Sequence, residues 1–184
     1  MQVTELILIG IGLAMDAFAV TLSNLFAFKG SNSKIFWLLP VFFGLFQAIM
    51  PITGFFAGSI FVEFLTKYAG LVTLLVLGFI GIRTIIDAFK DDSDENPKQK
   101  NLTVTLIILQ AVTTSIDALM VGVSFCAECV NIWYAALVIG IVTFIIIALA
   151  IPLGKKFGNL LGSKAQILGG AILCAIGIKS FLSK

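Results

Sequence analysis

Long apolar stretches separated by short polar segments dominate the hydropathy pattern of this chain. Six of them, each of roughly 20 residues, lie at about 3–28, 35–62, 68–89, 102–125, 132–153 and 165–182. A helix rises about 1.5 Å per residue, so each stretch can cross a hydrocarbon core of about 30 Å. No alternation of the barrel type occurs, which leaves helices to satisfy the backbone in lipid. The pattern predicts an all-α integral membrane protein with six transmembrane helices.

Composition and charge agree with this class. Of the 184 residues, 59% are hydrophobic and only 12% are charged, which argues against a soluble globular domain. The N-terminus does not resemble a cleaved signal, because Glu5 stands in its basic region and Asp16 interrupts its apolar core. A net charge of +2 is too small to indicate nucleic acid, so membrane lipid is the expected surrounding.

The basic residues lie mostly at one end of the predicted helices. Arg83 is near that end of the third stretch, whereas the opposite end has only Lys67, Lys179 and Lys184. The positive-inside rule makes the richer end cytoplasmic and places both termini outside. The lysines that follow the first, third and fifth stretches are Lys29, Lys34, Lys90, Lys98, Lys100, Lys155, Lys156 and Lys164.

The chain has three cysteines and no histidine. Cys126 and Cys129 form C-A-E-C after the fourth stretch, which suits a redox pair, a disulfide, half of a metal site or plain apolar or surface cysteines. We leave these alternatives open, and we expect Cys174 to be a packing residue.

The only strongly hydrophilic segment divides the chain into two similar halves. We expect one transmembrane domain over 1–184, with repeat 1 at about 1–89, a cytoplasmic linker at 90–101 and repeat 2 at about 102–184. A shift of 101 residues lays M-D-A-F-A-V on I-D-A-L-M-V, so that Asp16 matches Asp117. The same shift lays Pro51 on Pro152.

Three spans per repeat have a geometric consequence, because the second half must enter the membrane from the opposite side. The sequence therefore predicts two inverted three-helix repeats, an arrangement typical of secondary transporters with a substrate site near the midplane. The alternative is a duplication that merely made a stable bundle.

Asp16 and Asp117 are the acidic residues that lie deep within apolar stretches. A carboxylate at that depth costs at least about 2.5–3.5 kcal/mol, so it normally faces the bundle interior and has a partner. No basic residue occurs at the same depth in either stretch. The two carboxylates are therefore expected to share a bound cation.

Polar neighbours at helical spacing extend this candidate site. They line it or form interhelical hydrogen bonds, and the spacing does not choose between these roles. In the fourth stretch they are Gln110, Thr113, Thr114 and Ser124, and in the first stretch Gly12, Ala19 and Ser23 share the face of Asp16.

Prolines in the second and fifth stretches are predicted to interrupt those helices. Pro51 and Pro152 would free the carbonyls of Gln47 and Ala148 for a cation, or would only kink the helices. Gln47 also offers its amide oxygen.

The predicted ligands indicate which ion the site takes. Carboxylate, amide and hydroxyl oxygens suit manganese, magnesium and calcium, whereas the lack of histidine argues against zinc or copper. Met15 and Met120, beside the aspartates, would favour manganese as softer ligands, or they only fill space. Two carboxylates without a metal repel each other, so we expect proton uptake when the metal leaves.

At these residues the chain resembles the MntP family of bacterial manganese efflux pumps, in the LysE transporter superfamily. The motifs are A-M-D-A-F-A-V at 14–20, F-G-L-F-Q-A-I-M-P-I-T-G at 43–54, G-I-R at 81–83, T-S-I-D-A-L-M-V-G at 114–122 and I-L-G-G-A-I-L at 167–173. The resemblance implies manganese export across the bacterial plasma membrane, with Asp16 and Asp117 as the central acidic residues. Some relatives carry Glu where this chain has Gln47 and Gln166, which leaves fewer carboxylates here.

Rival functions meet specific obstacles in this sequence. Export of a cationic amino acid needs a locus for the substrate carboxylate, and no deep basic residue provides one. Intramembrane aspartyl proteases need Y-D and G-x-G-D contexts that are missing, and a scaffold leaves the aspartates unexplained. We therefore expect no enzyme and no resident cofactor, with Mn²⁺ as the transported substrate and another divalent cation or a cationic amino acid as the alternative.

Overall fold

The computed structural model describes residues 2–28, 31–91, 101–127 and 130–161, with isolated positions at 167, 171–172, 174–175, 178 and 182. From 58 to 91 the side chains are described at only some positions. All elements in these ranges are helices, and the described residues contain no strand. The all-α class predicted from the hydropathy pattern is confirmed.

The N-terminal helices follow the predicted pattern closely. Helix α1 (Val3–Ala27) coincides with the first apolar stretch, and the Gln2 backbone N–H donates to the Glu5 carboxylate at its start, 2.9 Å away. The short helix α2 (Ser33–Phe36) begins after Asn32, whose side chain accepts a hydrogen bond from the Lys34 N–H.

Helix α3 (Leu38–Asp91) covers both the second and the third predicted stretches without a break. The second and third stretches, given above as 35–62 and 68–89, were expected to be separate helices with a turn between them, and the structure has helix there instead; the segment 59–69 contains neither glycine nor proline to end a helix. At about 1.5 Å per residue its length is more than twice the hydrocarbon thickness of about 30 Å. The count of six separate spans stays a prediction.

The fourth predicted stretch is broken where no break was expected. It consists of helix α4 (Val104–Thr114) and helix α5 (Ile116–Ala127), which meet at Ser115. Pro51 and Pro152 do not end a helix, since α3 and helix α6 (Ile132–Leu161) both continue through them, and the freed carbonyls or kinks expected there stay predictions. Neighbouring helices and hydroxyl side chains make such prolines tolerable in membrane helices.

Helices α1, α3 and α6 and the broken helix α4–α5 form the described bundle. Helix α1 packs mainly along α6, and α3 packs against both halves of the broken helix and against α6. Helices α1 and α6 run parallel, because Gly10 meets Val142 at one end and Gly154 meets Leu25 at the other.

The surface of this bundle suits a lipid environment. Large apolar side chains are exposed along it, such as Leu8 and Leu137 at 68% and 59%, whereas polar side chains such as Gln47 and Gln110 are fully buried. Four segments of the described chain are long and apolar enough to cross a membrane, at Val3–Ala27, Ser33–Ala57, Val104–Cys126 and Ile132–Lys156. The chain is therefore a multi-pass membrane protein.

Some sequence-based predictions fall outside the described residues. These are the linker from 92 to 100, Cys129, Gln166, most of the sixth stretch and the Arg83 side chain. The division into repeats, the disulfide alternative and the orientation of the termini consequently stay predictions.

Candidate functional site

The Gln47 side chain connects three helices at the centre of the bundle. Its amide nitrogen donates to the Leu13 carbonyl of α1 at 3.3 Å and to the Thr114 carbonyl of α4 at 3.4 Å. Gln47 is fully buried, so both hydrogen bonds form away from solvent. One side chain from α3 therefore holds the backbones of α1 and α4 close together.

The groups around the Gln47 amide determine which side its nitrogen faces and which side its oxygen faces. Backbone carbonyls only accept hydrogen bonds, so the NH₂ group must face Leu13 and Thr114. The opposite end, Oε1 of Gln47, is buried and has no hydrogen-bond partner. A buried acceptor without a donor is costly, and a cation is one group that would satisfy it.

The two carbonyls occupy equivalent places in the sequence repeat. Leu13 precedes Asp16 by three residues, and Thr114 precedes Asp117 by three residues. The shift of 101 that relates the aspartates also relates Leu13 to Thr114. The helical turns just before the two aspartates are therefore joined through a single nitrogen atom.

The break at Ser115 gives Asp117 a favourable position for a negative charge. Asp117 lies in the first turn of α5, and its Oδ1 accepts a hydrogen bond from the Ala118 N–H at 2.9 Å. The positive end of a helix dipole stabilises a carboxylate there. Asp16 instead lies within α1 and is half-buried, whereas Asp117 is exposed, which differs from the interior position expected for it from the sequence.

Other buried hydroxyl oxygens also have no hydrogen-bond partner. They belong to Ser115 at the helix break, to Thr143 of α6 and to Thr21 of α1. Thr143 lies one turn after Gly140, whose backbone approaches Gly44 of α3. Polar atoms without a partner thus occur on α6 as well as at the break. Neither Ser115 nor Thr143 was among the residues predicted from the sequence.

The predicted polar stripe of the fourth stretch splits into separate environments. Thr113 and Thr114 are buried, and their hydroxyls donate to the Leu109 and Gln110 carbonyls of their own helix at 2.6 and 2.9 Å. Ser124 is exposed, and its hydroxyl donates to the Met120 carbonyl at 3.4 Å. The donating hydroxyls keep lone pairs that can still accept.

The remaining candidates lie at different depths and exposures. Ser23 of α1 is fully buried, whereas Met15 is 52% exposed and Met120 is partly buried. Gln110 pairs with Asn24 of α1, a residue that the sequence analysis missed because an isolated asparagine near a helix end is not distinctive.

The backbones of α3 and α5 touch beside Asp117. A Cβ atom added at Gly54 would collide with the Leu119 carbonyl, and one added at Gly122 would collide with the Pro51 carbonyl. Two glycines therefore allow an approach that no other residue type permits. This contact fixes the position of the helix that carries Asp117.

The described residues offer oxygen donors of several kinds. No group of three or more Cys, Asp or Glu side chains that could hold a metal occurs in the described part of the chain. The available donors are two aspartates, an amide oxygen, hydroxyls and backbone carbonyls, which are hard oxygen ligands.

Comparison with known proteins identifies the family. The profile of the family described as "Putative manganese efflux pump" matches residues 31–181. A protein of Ruminiclostridium cellulolyticum named "Putative manganese efflux pump MntP" is 43% identical over 99% of this chain and 96% of its own length. No solved structure matches the chain.

Two further relatives have the same printed name. The Campylobacter hominis protein is 41% identical, with 97% of each chain covered. The Clostridium perfringens protein is 35% identical over 99% of this chain and 95% of its own length. Since the similarity extends over nearly the whole sequence, this chain belongs to the MntP family of manganese efflux pumps, a family of transporters and not of enzymes.

Proposed function

We propose that this protein exports Mn²⁺ from the cytoplasm as a secondary transporter, with an ion site around Asp16 and Asp117. The observation that carries the proposal is the double hydrogen bond of Gln47 to the Leu13 and Thr114 carbonyls. It joins the turns that precede the two aspartates. The names of the relatives supply the substrate and the direction of transport.

An inverted repeat is part of this proposal. Under the shift of 101, packing of α1 on α6 corresponds to packing of the fourth stretch on α3, and both pairs are major contacts of the bundle. The broken helix near the midplane also resembles the discontinuous helices that form transporter sites. These features support alternating access between two related halves.

The proposed ligands of the ion are the carboxylates of Asp16 and Asp117 together with Oε1 of Gln47. Two carboxylates balance the charge of a divalent cation, and the amide oxygen gains the partner that it lacks. The lone pairs of Thr113 and Thr114 are further candidates on α4.

The candidate serines and methionines are given roles other than that of principal ligands. Ser23 and Ser124 are each seven residues, or about 10 Å along a helix, from the nearest aspartate. We assign them to the path of the ion because they lie too far away to join the same coordination sphere. Met15 and Met120, next to or one turn from an aspartate, are the candidates for preferring manganese over magnesium or calcium.

Proton exchange is the proposed source of energy. When the ion leaves, the two carboxylates lose the charge that neutralised them, and taking up a proton relieves their repulsion. Manganese efflux that is indifferent to an imposed proton gradient would exclude this coupling and leave the ion site intact.

Manganese flux in proteoliposomes tests the site directly. We expect Asp16→Asn and Asp117→Asn each to lower flux by at least about a hundredfold, because a divalent ion loses a charged ligand. Magnesium, calcium, zinc, iron and lysine serve as competitors, and strong competition by lysine would favour an amino acid exporter.

A matched control removes a carboxylate elsewhere on α1. Glu5→Gln keeps a side chain that can cap the helix start and lies 11 residues from Asp16, so flux should stay near that of the parent. Full flux in both aspartate variants, with normal membrane insertion, would refute the two-carboxylate site.

A further inference from the structure

A second polar contact joins α1 and α4 at a distance from the aspartates. The Asn24 amide donates to Oε1 of Gln110 at 2.7 Å, and the Gln110 amide donates to Oδ1 of Asn24 at 3.1 Å. Both side chains are fully buried. Helices α1 and α4 otherwise have few contacts, so this reciprocal pair is a principal link between them.

The pair lies between the proposed ion site and one end of the bundle. Asn24 follows Asp16 by eight residues along α1, and Gln110 precedes Asp117 by seven residues, so each is about 10–12 Å from its aspartate. Asn24 lies on the C-terminal side of Asp16 in α1, and Gln110 lies on the N-terminal side of Asp117 in α4. Both amides are therefore displaced toward the face where α1 ends and α4 begins.

The same end is closed by contacts nearer the surface. The Leu102 N–H donates to the Ser31 hydroxyl at 2.7 Å, which ties the start of α4 to the segment after α1. The Lys155 ammonium donates to the Ser33 hydroxyl at 2.6 Å. The positive-inside rule assigns this lysine-bearing end to the cytoplasm.

The opposite end is closed in a different way. The shift of 101 relates Asn24 to Phe125 and Gln110 to Ile9, which are both apolar. Phe125 is buried in a hydrophobic cluster with Leu6, and Ile9 packs against that cluster. Equivalent positions thus form a hydrogen-bonded pair at one end and apolar packing at the other.

We propose that Asn24 and Gln110 form the cytoplasmic gate of the transport path, an inference that rests on the proposed function. In the closed state each uncharged amide satisfies the other, and in the open state water satisfies both. The gate therefore separates without leaving a charge or an amide group unpaired. Manganese coming from the cytoplasm passes between these side chains to reach the aspartates.

Thiol labelling from each side of the membrane tests this gate. The three native cysteines are replaced by serine or alanine, and Ser115→Cys provides a reporter, because Ser115 is fully buried and lies five residues beyond Gln110. A membrane-impermeant thiol reagent is applied, without manganese, to vesicles of each orientation.

Removing the amide pair should expose this reporter from one side only. We expect Gln110→Leu to raise the labelling rate about tenfold from the face where α1 ends, since a buried unpaired Asn24 amide disfavours the closed state. Labelling from the other face should stay unchanged. Asn24→Ala is a second variant with the same expected result, should Gln110→Leu fail to fold.

The exchange of the two amides is the matched control. Asn24→Gln combined with Gln110→Asn keeps one asparagine and one glutamine facing each other, so the combined length of the two side chains is unchanged. The labelling rate of this double variant should equal that of the parent. Unchanged labelling in the single variants overturns the gate, and so does an equal rise from both faces, which would indicate general loosening.

Sided labelling separates the gate from the proposed function. If the parent transports no manganese but the single variants show the one-sided rise, export is refuted and the gate is kept. If the parent transports manganese but the single variants show no one-sided rise, export is kept and the gate is refuted.

Discussion

At the scale of single residues, the amide of Gln47 combines a structural role with a candidate ligand role. Its nitrogen serves two backbone carbonyls from different helices, and its oxygen is buried without a partner. An amide is the only uncharged side-chain group that both donates twice and accepts. No other residue type at this position can hold the two carbonyls and also offer a ligand oxygen.

Replacing Gln47 should therefore affect both stability and transport. We expect Gln47→Met, which is similar in size, to lower the free energy of unfolding by about 1–3 kcal/mol because two buried carbonyls lose a donor. Manganese flux should fall at least about tenfold, by the loss of one ligand. Unfolding in detergent and flux in proteoliposomes measure the two effects.

The control for that variant lies on the same helix. Leu45→Met changes a side chain that is half exposed on the apolar surface, and neither quantity should change appreciably. A Gln47→Met protein as stable as the parent would contradict the bridging role.

Two buried threonines should respond in opposite ways to the loss of a hydroxyl. The Thr143 hydroxyl has no partner, so Thr143→Val should leave the unfolding temperature unchanged or raise it. The Thr114 hydroxyl donates to the Gln110 carbonyl, so Thr114→Val should cost about 0.5–1.5 kcal/mol. Calorimetry of both variants checks the contrast, and a larger loss for Thr143→Val would contradict it.

Residue-level prediction from the sequence succeeded only in part. The repeat predicts Asp16 and Asp117 as the ion site, which stays a prediction, and Pro51 drew attention to Gln47, which the structure places at the centre of the bundle. It did not reveal that Gln47 binds the Leu13 and Thr114 carbonyls, because backbone acceptors have no signature in a sequence. Asn24 was missed for a related reason, since only the fold brings it to Gln110.

At the scale of helices, the contact between α3 and α5 depends on glycine. Gly54 and Gly122 each face a carbonyl of the other helix, whereas Gly12 of α1 has open space at its Cβ position. The three glycines therefore make a natural comparison of close and open environments.

Substituting alanine for each glycine should affect the free energy of unfolding differently in the close and the open environments. Gly122→Ala and Gly54→Ala should each lower the free energy of unfolding by about 1–3 kcal/mol, because the helices must move apart. Gly12→Ala should be neutral or stabilising by up to about 1 kcal/mol through helix propensity. Denaturant or thermal unfolding in detergent is the measurement, and equal effects at all three positions would contradict the close contact.

The helix break was the least predictable element. Proline and glycine are the usual breakers, yet Pro51 and Pro152 lie inside continuous helices and the break lies in the run Thr113–Thr114–Ser115. Hydroxyl side chains compete with the backbone for hydrogen bonds, and Thr113 and Thr114 both bond to carbonyls of the preceding turn. Several such residues in a row weaken a helix, which the hydropathy pattern alone does not reveal.

At the scale of the whole molecule, charge distribution predicts which end faces the cytoplasm. Ser33 and Lys155 lie together at the end where α1 finishes, whereas Asn131 precedes α6 at the other end. In a background without native cysteines, Ser33→Cys should react with an impermeant thiol reagent only from the cytoplasmic side. Asn131→Cys should react only from outside, and the reverse pattern would invert the proposed topology.

The hydropathy pattern predicted the class of the molecule more reliably than the points where its helices begin and end. Apolar length determines that a segment can span a membrane, so α1 was predicted nearly at its observed position and α6 at its observed start, although α6 continues past 153 to Leu161. It does not determine where a helix stops in a region without breakers, which is why α3 continues past the expected turn.

The position of Gln47 also limits how far the two halves of the sequence can be equivalent. Its nitrogen lies between two carbonyls that the shift of 101 relates, and the matching position in the other half is Ala148. One amide therefore serves both related carbonyls, so exchanging Gln47 and Ala148 would move the bridging amide from α3 to α6 and would not leave the protein unchanged.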